Sequence, residues 1–398
     1  MGKVRHAALA CIIALPLTAR AQQWDSVSER TVAPGVIHKR VVANRGPWRI
    51  NVLEIDLRQH GLSIRGMKAN DRFVGREKVS SMVARYKGPG KVVAAINGDF
   101  FNIKTGESEN NVVIEGDMSK GVTVSDSPYD TFNTLHSQFG VDWKNHPFID
   151  RFGLTAILKQ RGKSYSLSGV NFRPPWRDAL VLFTAEAGDS SPPDTTQRMS
   201  AYLPLRRVAS TNGEMIFAVA GPITGGRRAS LANGGVLIAD GDKRTVLAAI
   251  AKRGGSVRVA ASLVPKRGNL RTVIGGWPRI IRAGRSVALD ADVVEGTFPR
   301  FSSARHPRTG VGFSKDSATL YLVTVDGRRE SDSGMSLAEL ADAMIQLGAY
   351  DAMNFDGGGS TTMVIDGKVV NHPSDQGGER PVGSALLIVE DRSSRSHR

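Results

Sequence analysis

Cysteine is almost absent from this chain. One cysteine, Cys11, occurs in 398 residues, and it lies in the apolar segment at the N-terminus. If that segment is removed, the remainder has no cysteine, which excludes disulfides, thiolate zinc sites and cysteine nucleophiles. Secreted eukaryotic domains more often carry disulfides, so this shortage favours a bacterial periplasmic location. A lipoprotein signal ending at Cys11 is a second interpretation, although the apolar stretch before it is short.

Long hydrophobic runs are also missing. The apolar run at the N-terminus covers residues 7–17, eleven residues, whereas a membrane-spanning helix needs about 20. Lys3 and Arg5 precede the run and Ala19-Arg20-Ala21 follows it, which is the pattern of a cleavable secretory signal. We therefore expect residues 1–21 to form a signal peptide cleaved after Ala21, no transmembrane segment, and an exported protein that is periplasmic or secreted.

Several common catalytic signatures do not occur. No Gly-Lys-Ser/Thr follows the glycine run at residues 357–359, which excludes a nucleotide-binding phosphate loop. There is no His-Glu-x-x-His, the eight histidines are dispersed, and no Gly-x-Ser-x-Gly is present, which argues against catalytic zinc and against a serine nucleophile elbow. We expect no obligatory cofactor. The oxygen atoms of Asp99, Asp326, Asn354 and Asp356 leave a divalent cation such as calcium open, with its ligands unassigned.

Basic residues outnumber acidic ones. The formal net charge is +15, and removal of residues 1–21 would lower it to +12 because that segment holds three basic and no acidic residues. The excess predicts either attraction to anionic envelope polymers or general solubility. The Lys and Arg residues are scattered without an aromatic-interleaved stripe, so we expect no nucleic-acid binding. The basic tail, residues 391–398, is expected to be disordered.

The most informative stretch that is present is Asn354–Thr362. Asp356 is followed by three consecutive glycines and then by Ser-Thr-Thr, with apolar residues on both sides. This pattern predicts a buried strand, a tight glycine turn and a second buried strand, with the carboxylate at the mouth of the turn. An Asp-Gly hairpin turn is the simpler alternative, but such a turn needs one or two glycines rather than three.

A helix precedes this turn. Ser336 and Glu339 form a capping box, the following apolar residues recur at helical spacing, and Gly348 supplies a stop signal. Strands are predicted on either side, over residues 318–325 and 352–354. If these strands are parallel neighbours, their C-terminal ends meet at one edge of the sheet, where ligands bind in open α/β sheets.

The remaining patterns predict further elements of the same kinds. We expect an α+β or mixed α/β fold, with mixed β-sheets, a few helices, and an active site at strand ends and Gly-rich turns. The predicted strands cover residues 49–57, 92–96, 178–184, 236–240 and 257–261, and a helix is predicted over residues 76–86.

Five segments in order carry a family resemblance. Together they resemble the phosphodiester glycosidase family, and they extend from residue 94 to about residue 384. The segments are Ala94–Phe101, Ile274–Arg279, Arg305–Gly312, Val325–Arg328 with Ser333–Ala341, and Asn354–Thr362. Two positions depart from the family pattern, since Asp99 and Trp277 stand where the family has glycine. On this basis we expect residues 22–48 to be an N-terminal extension and residues 49–390 to be a phosphodiester glycosidase-like domain, with an insertion or sub-lobe at 120–260.

The resemblance implies a hydrolase that cleaves sugar-1-phosphodiesters into free sugar and phosphomonoester. The departing phosphomonoester has a last pKa of about 6, so it needs a cationic clamp more than a general acid. We expect Arg308 and Arg328 to supply that clamp. Asp356 is the first candidate and Asp326 the second for the carboxylate that stabilises or attacks the sugar. The clamp pair and the two carboxylates are the predicted catalytic residues.

A wider set is predicted to bind substrate. These residues are Asn97, Asp99, Trp277, Thr309, Asn354, Gly357, Gly358, Gly359, Ser360 and Thr361. Each has a structural alternative: Trp277 can be a packing residue, Arg308 can hold a loop, and Asp326-Gly327-Arg328 can be a surface turn. The expected substrate is a glycosyl phosphodiester of envelope or exopolysaccharide material, and anionic envelope polymers are further candidate partners. The alternative function is a non-catalytic binding or assembly module for such anionic polysaccharides.

Overall fold

The structure is a computed structural model that describes residues 24–44, 46–128, 133–194, 199–211 and 214–391. The predicted signal peptide, with Cys11 and its cleavage site, lies outside the described residues. So does nearly all of the predicted tail, residues 392–398. Among the described residues no helix is both long and apolar enough to cross a membrane.

Strands dominate the described part of the chain. They are β1 (Ser26–Ala33), β2 (Val36–Ala43), β3 (Trp48–Asp56), β4 (Leu62–Lys68), β5 (Lys91–Asn97), β6 (Val112–Ile114), β7 (Asp117–Lys120), β8 (Gln138–Asp142), β9 (Pro147–Asp150), β10 (Gly153–Gln160), β11 (Lys163–Leu167), β12 (Gly169–Val170), β13 (Leu180–Thr184), β14 (Ala201–Thr211), β15 (Glu214–Val219), β16 (Gly234–Ala239), β17 (Ser256–Val264), β18 (Leu270–Gly275), β19 (Arg279–Arg282), β20 (Arg285–Ser286), β21 (Arg308–Phe313), β22 (Thr319–Val325), β23 (Asp351–Phe355), β24 (Met363–Ile365), β25 (Lys368–Val369) and β26 (Ser384–Glu390).

The helices are short and few. They are α1 (Val79–Arg85), α2 (Lys243–Arg253), α3 (Ala291–Val294), α4 (Pro299–Ser302) and α5 (Leu337–Leu347). The mixed content is therefore as predicted, but the fold is mostly β and its pairings are almost all antiparallel, with one parallel pair between β12 and β13. The antiparallel pairing corrects the expectation of an open α/β sheet.

Two sheets pack face to face and form the main core. Sheet 1 has the order β1-β2-β3-β22-β21-β23-β19-β20, and sheet 2 has the order β25-β24-β5-β26-β4. Buried side chains such as Val311 and Leu322 of sheet 1 share one apolar cluster with Ile96 and Leu386 of sheet 2. Helix α5 covers the other face of sheet 1, and α1 covers the other face of sheet 2. The result is a helix–sheet–sheet–helix sandwich.

Two further sheets extend this sandwich. Sheet 3, with the order β7-β6-β18-β8-β9, contributes Phe139, Ile149 and Ile274 to the main core. Sheet 4, with the order β11-β10-β17-β15-β14-β16-β13-β12, draws its strands from residues 153–264 and has its own apolar cluster, covered by α2. The strand β17 leads from sheet 4 back into sheet 3 through β18.

The edge that carries Asp326 and Asp356 differs from the predicted arrangement. The strands β22 and β23 are not direct neighbours, because β21 lies between them and pairs antiparallel with both. They are therefore parallel to each other, and their C-terminal ends meet at the N-terminal end of β21, where Arg308 pairs with Val325 and Thr309 with Phe355. The predicted convergence at one edge is correct, and the inserted strand adds Arg308 to it.

Candidate functional site

The glycine turn follows β23 directly and is partly open to solvent. Asp356, Gly357 and Gly358 are partly exposed, whereas Gly359 and Ser360 are buried. Gly358 has a φ of +60°, in the left-handed region that favours glycine. We call residues Asp356–Ser360 the glycine bend.

The amides of the glycine bend are largely used within the protein. Gly357 N–H donates to Asp356 Oδ1 at 2.8 Å, and Gly358 N–H donates to the Pro307 carbonyl at 2.9 Å. Ser360 N–H donates to the Gly357 carbonyl at 3.1 Å. These bonds shape the turn and use three of its amides within the protein.

Two guanidinium groups lie against the glycines. A Cβ atom on Gly358 would lie 2.8 Å from Arg328 Nη2, and a Cβ atom on Gly359 would collide with Arg380 Nη2. The missing side chains therefore leave room for two cations beside Asp356. Arg328 was predicted from its sequence motif, whereas Arg380 was not.

The segment 374–380 positions both cations. Arg380 donates through Nε to Asp375 Oδ2 at 2.7 Å and through Nη2 to Asp375 Oδ1 at 2.9 Å, a two-point pairing that fixes the plane of the guanidinium. Its Nη1 lies 3.4 Å from Ser360 Oγ. Arg328, which is exposed, lies 3.4 Å from Ser374 Oγ through Nη1. Arg380 is only partly buried, so it can also face a ligand in the bend.

Asp356 is the carboxylate at the centre of this arrangement. Burial raises its pKa to about 6, and the Ser360 hydroxyl, Arg380, the Gly357 amide and Arg328 act in the opposite direction. A carboxyl group with such a pKa changes charge near neutral pH, which is typical of groups that take part in chemistry. The structure thus brings Asp356, Arg328, the glycines and Ser360 together as predicted.

Asp99 lies behind Asp356 and is shielded from solvent. It is 1% exposed, and Asn110 donates to it from both the backbone, at 3.1 Å, and the side chain, at 2.9 Å. Burial raises the pKa of Asp99 to about 7; the Asn110 bonds and Lys120 oppose this shift, and the Asp356 charge adds to it. Asp99 therefore acts on Asp356 through electrostatics, and its burial does not support the predicted direct contact with substrate.

Arg308 does not have the predicted geometry of a phosphate clamp. It is 1% exposed, its Nε donates to the Met335 carbonyl at 2.9 Å, and its Nη2 donates to the carbonyls of Phe301 at 2.6 Å and Ala304 at 3.1 Å. Burial lowers its pKa to about 9. The guanidinium of Arg308 holds two loops together, whereas the guanidinium of Arg380 lies beside the glycine bend.

Asp326 is likewise a positioning residue. It is 2% exposed, its Oδ1 accepts the His372 N–H at 2.9 Å, and its Oδ2 lies 3.4 Å from His372 Nδ1. Burial raises its pKa, opposed by the His372 amide, by His372 itself and by Asn371. Asp326 thus anchors the start of the segment that carries Ser374 and Asp375, and its predicted role as a second reacting carboxylate is not supported.

Asn97 and Thr309 form a buried hydrogen-bond junction between the sheets. Asn97 Nδ2 donates to the Asp356 carbonyl at 2.6 Å, and its Oδ1 accepts the Thr309 hydroxyl at 2.9 Å and the Thr362 N–H at 3.0 Å. Both Asn97 and Thr309 are 0% exposed. They position the glycine bend and are closed to solvent, and their contact with substrate stays a prediction.

Trp277 and Asn354 are also part of the framework. Trp277 is 2% exposed and stacks between His136 and Phe301, at 4.9 Å between ring centroids on each side. Asn354 is buried and donates to the Trp277 carbonyl at 2.7 Å. Neither side chain is open to a sugar, so the packing alternative is correct for Trp277. Thr361, 1% exposed, is buried as well, which argues against its predicted substrate contact.

The residues that sequence reasoning missed lie in one loop. Asp375 and Arg380 flank the turn at Gly377-Gly378, and His372 stands five residues before Gly377. The available signal was the recurrence of an acidic and a basic residue around a second glycine pair. Within the described part of the chain, no group of three or more His, Cys, Asp or Glu side chains is arranged to hold a metal ion. The cations that the site itself displays are guanidinium groups.

Sequence comparison finds a family profile that matches part of the chain. Residues 206–389 match the profile of a family described as phosphodiester glycosidase. A SPbeta prophage-derived protein of Bacillus subtilis, YomE, is 37% identical over 96 residues, which is 23% of this chain and 15% of that protein. The N-acetylglucosamine-1-phosphodiester alpha-N-acetylglucosaminidase of Mus musculus is 34% identical over 95 residues, 24% of this chain and 18% of the enzyme. The matched regions thus span less than a fifth of these relatives.

Solved structures share the fold over most of the chain. A hypothetical protein of Synechocystis superposes with a TM-score of 0.72 and 19% identity, covering 92% of this chain and 64% of that one. A candidate exported protein of Burkholderia pseudomallei superposes with a TM-score of 0.66 and 23% identity, covering 86% and 74%. At these identities the likeness establishes the fold. The profile match covers residues 206–389, and this region contains the glycine bend, Arg328 and Arg380.

Proposed function

We propose that this protein is a hydrolase that cleaves sugar-1-phosphodiesters into a free sugar and a phosphomonoester. The observation that carries the proposal is the partly exposed Asp356, whose pKa is about 6. Two guanidinium groups lie beside it, against the glycines of the glycine bend. The match of the same residues to the phosphodiester glycosidase profile supports it. The chemistry requires one negative group for the sugar and positive groups for the phosphate, and this site has both.

Arg328 and Arg380 bind the phosphate oxygens. A guanidinium offers a planar fork that matches two phosphate oxygens, and such donors become more effective as negative charge develops on the departing phosphomonoester. Asp375 fixes the plane of Arg380 before substrate arrives, so little reorganisation is needed.

Asp356 faces the sugar. As the bond from the anomeric carbon to the phosphate oxygen breaks, positive charge develops on the sugar ring, and a carboxylate beside it stabilises that charge. Water supplies the new oxygen on the anomeric carbon, one water proton is released, and the electron pair of the broken bond leaves with the phosphomonoester. Ser360 donates its hydroxyl proton to Asp356 and keeps the carboxylate oriented.

The direct test is product analysis. N-acetyl-α-glucosamine 1-(methyl phosphate) is a suitable probe, because the mammalian relatives are named for that sugar phosphodiester. We expect equimolar N-acetylglucosamine and methyl phosphate by proton and phosphorus NMR, and loss of both in Asp356→Asn. A panel with glucose, galactose and mannose in place of N-acetylglucosamine covers the other sugars. If wild-type protein releases free sugar from none of them, while still binding anionic polysaccharide, a non-catalytic binding or assembly role replaces the enzyme.

We also propose that catalysis needs no metal, since the two guanidinium groups provide positive charge at the phosphate. Treatment with EDTA should leave the rate unchanged. A loss that calcium restores would show that a divalent cation takes part. Envelope or exopolysaccharide material as the natural substrate, and export with cleavage after Ala21, are part of the same proposal. The export step is checked by N-terminal sequencing of protein secreted from a bacterial host, with Gln22 expected first.

A further inference from the structure

A cavity of about 690 Å³ lies where sheet 3 meets sheet 4. Its lining comes from β6 and β7, from β14 and β17, and from the connection at residues 266–270. None of the residues of the glycine bend lines it. It is therefore separate from the site described above.

The strand β18 connects the two places. Leu270, at its start, lines the cavity, whereas Gly275, at its end, packs so closely on Asp99 that a Cβ atom there would collide with the carboxylate. A six-residue strand rises about 17 Å from its first residue to its last. The end of the cavity at Leu270 thus lies about 17 Å from Asp99, the buried carboxyl group behind Asp356.

Positive charge predominates in the lining. Four basic side chains and two acidic ones face the cavity. Lys68 is paired with Glu186 at 2.5 Å, and Arg267 is paired with Asp150 at 2.6 Å. Arg207 and Lys266 are exposed. No ion pair joins either of these two to a carboxylate within the described residues, so both are available to an anionic ligand.

Trp143 stands in the same lining and is 51% exposed. The guanidinium of Arg271 lies 4.8 Å from the centre of the indole ring, and Arg271 and Arg65 share one carboxylate, Glu115. Two buried cations with one counter-charge leave positive charge behind the ring. An exposed large aromatic ring held by a fixed neighbour is unusual on a surface that serves only solubility.

We propose that this cavity binds an anionic oligosaccharide. The indole of Trp143 offers a flat apolar face for a sugar ring, and Arg207 and Lys266 pair with its acidic groups. Ser210, Ser262 and Asn269 in the lining offer hydrogen bonds to hydroxyls. The basic groups are not arranged along a stripe with interleaved aromatics, which disfavours a nucleic acid. This second site does not depend on the hydrolase activity.

Binding is measured by isothermal titration calorimetry with decagalacturonate as the anionic probe and maltodecaose as the uncharged one. We expect wild-type protein to bind decagalacturonate, and Trp143→Ala and Lys266→Glu each to weaken binding tenfold or more. Maltodecaose should bind at least tenfold more weakly. Asp356→Asn should bind decagalacturonate like wild type, because the cavity is separate from the catalytic site, so failure of the hydrolase proposal leaves this test intact.

Matched controls are Trp176→Ala, a 45% exposed tryptophan outside the cavity, and Lys163→Glu, an exposed lysine of β11. Thermal melting confirms that each variant is folded. The proposal is overturned if wild-type protein does not bind decagalacturonate, if the control variants weaken binding as much as the cavity variants, or if a DNA oligonucleotide of equal charge competes fully for the cavity.

Discussion

Each glycine of the bend is required for a different reason. A Cβ atom on Gly357 would lie 2.7 Å from the Pro307 carbonyl oxygen, Gly358 has a left-handed φ and faces Arg328, and Gly359 faces the Arg380–Asp375 pair. The sequence indicated that side chains had to be absent here, but it did not indicate which groups would use the space. Arg308 was predicted as part of the clamp because it lies within the matched segment Arg305–Gly312, whereas Arg380 lies in none of the matched segments. The burial of Arg308 shows that a place within a matched segment does not by itself expose a side chain to a ligand.

At this scale the first prediction concerns the ionisation of Asp356. Its pKa in the folded protein is about 6, so the carboxylate form that stabilises a positive sugar predominates above that pH. We expect kcat/KM to rise with pH through about 6 and then level off. Asp356→Asn should lower kcat at least 1,000-fold without lowering Tm, and Asp366→Asn, an exposed aspartate, is the control. A rate that falls as pH rises through 6 would contradict this role.

A second prediction separates the two arginines. Arg308→Met removes the donors to three carbonyls, one buried and two partly buried, and an orphaned buried group costs about 1–3 kcal/mol, so Tm should fall by several degrees. Arg380→Met removes a half-exposed cation, so stability should change by about 1 kcal/mol or less, while kcat/KM should fall about 100-fold or more. Thermal melts and steady-state kinetics of both variants give the comparison. If Arg308→Met were stable but inactive, the clamp assignment would return to Arg308.

Among the elements, α5 is the one whose bounds the sequence predicted best. The capping box is present: Ser336 Oγ accepts the Glu339 N–H at 3.2 Å, and Glu339 accepts the Ser336 N–H at 2.9 Å. Gly348 ends the helix with a φ of +105°. The helix packs on sheet 1 closely enough that a Cβ atom on Gly310 of β21 would lie 2.8 Å from Met344 Sδ. Local signals sufficed here because caps and periodicity involve residues within a few positions of each other.

The third prediction tests that element. Ser336→Ala removes the oxygen that accepts the Glu339 amide, and loss of such a cap typically costs about 1 kcal/mol. We expect a Tm decrease of a few degrees with unchanged KM, since the capping bonds join Ser336 and Glu339 and involve no residue of the proposed site. Ser331→Ala, at an exposed serine, serves as the reference. An unchanged Tm in Ser336→Ala would mean that packing of α5, rather than its cap, decides where the helix begins.

Over the whole molecule, the site depends on the contact between sheets 1 and 2. Asp356 N–H donates to the Gly98 carbonyl at 3.0 Å, and Asn97 Nδ2 donates to the Asp356 carbonyl, so the end of β5 in sheet 2 holds the bend that follows β23 in sheet 1. The same contact places Asp99 beside Asp356. The two carboxyl groups are 257 residues apart in the chain. They are neighbours in space only because sheets 1 and 2 pack against each other.

The fourth prediction follows from the burial of Asp99. Its pKa is raised to about 7 in the folded protein, above an unfolded value near 4, so the stabilising contribution of the protonated form is lost as pH rises from about 4 through 7. Asp99→Asn carries no such penalty. We expect the Tm of the variant, relative to wild type, to increase between pH 4 and pH 8, with Asp189→Asn, an exposed aspartate, showing no such trend. A constant difference across this range would show that Asp99 titrates normally.

By itself, the sequence determined the local features of this protein: the capped helix, most strand positions, the glycine turn after Asp356 and the family resemblance of that region. These depend on spacing and turn chemistry within short stretches of chain. Only the tertiary structure decided that β21 lies between β22 and β23, that Arg308, Asp326, Asn97 and Trp277 are buried supports, and that Arg380 faces the bend. Those outcomes depend on which side chains lose contact with water when distant strands pair, and burial of that kind is a property of the packed sheets rather than of any one segment.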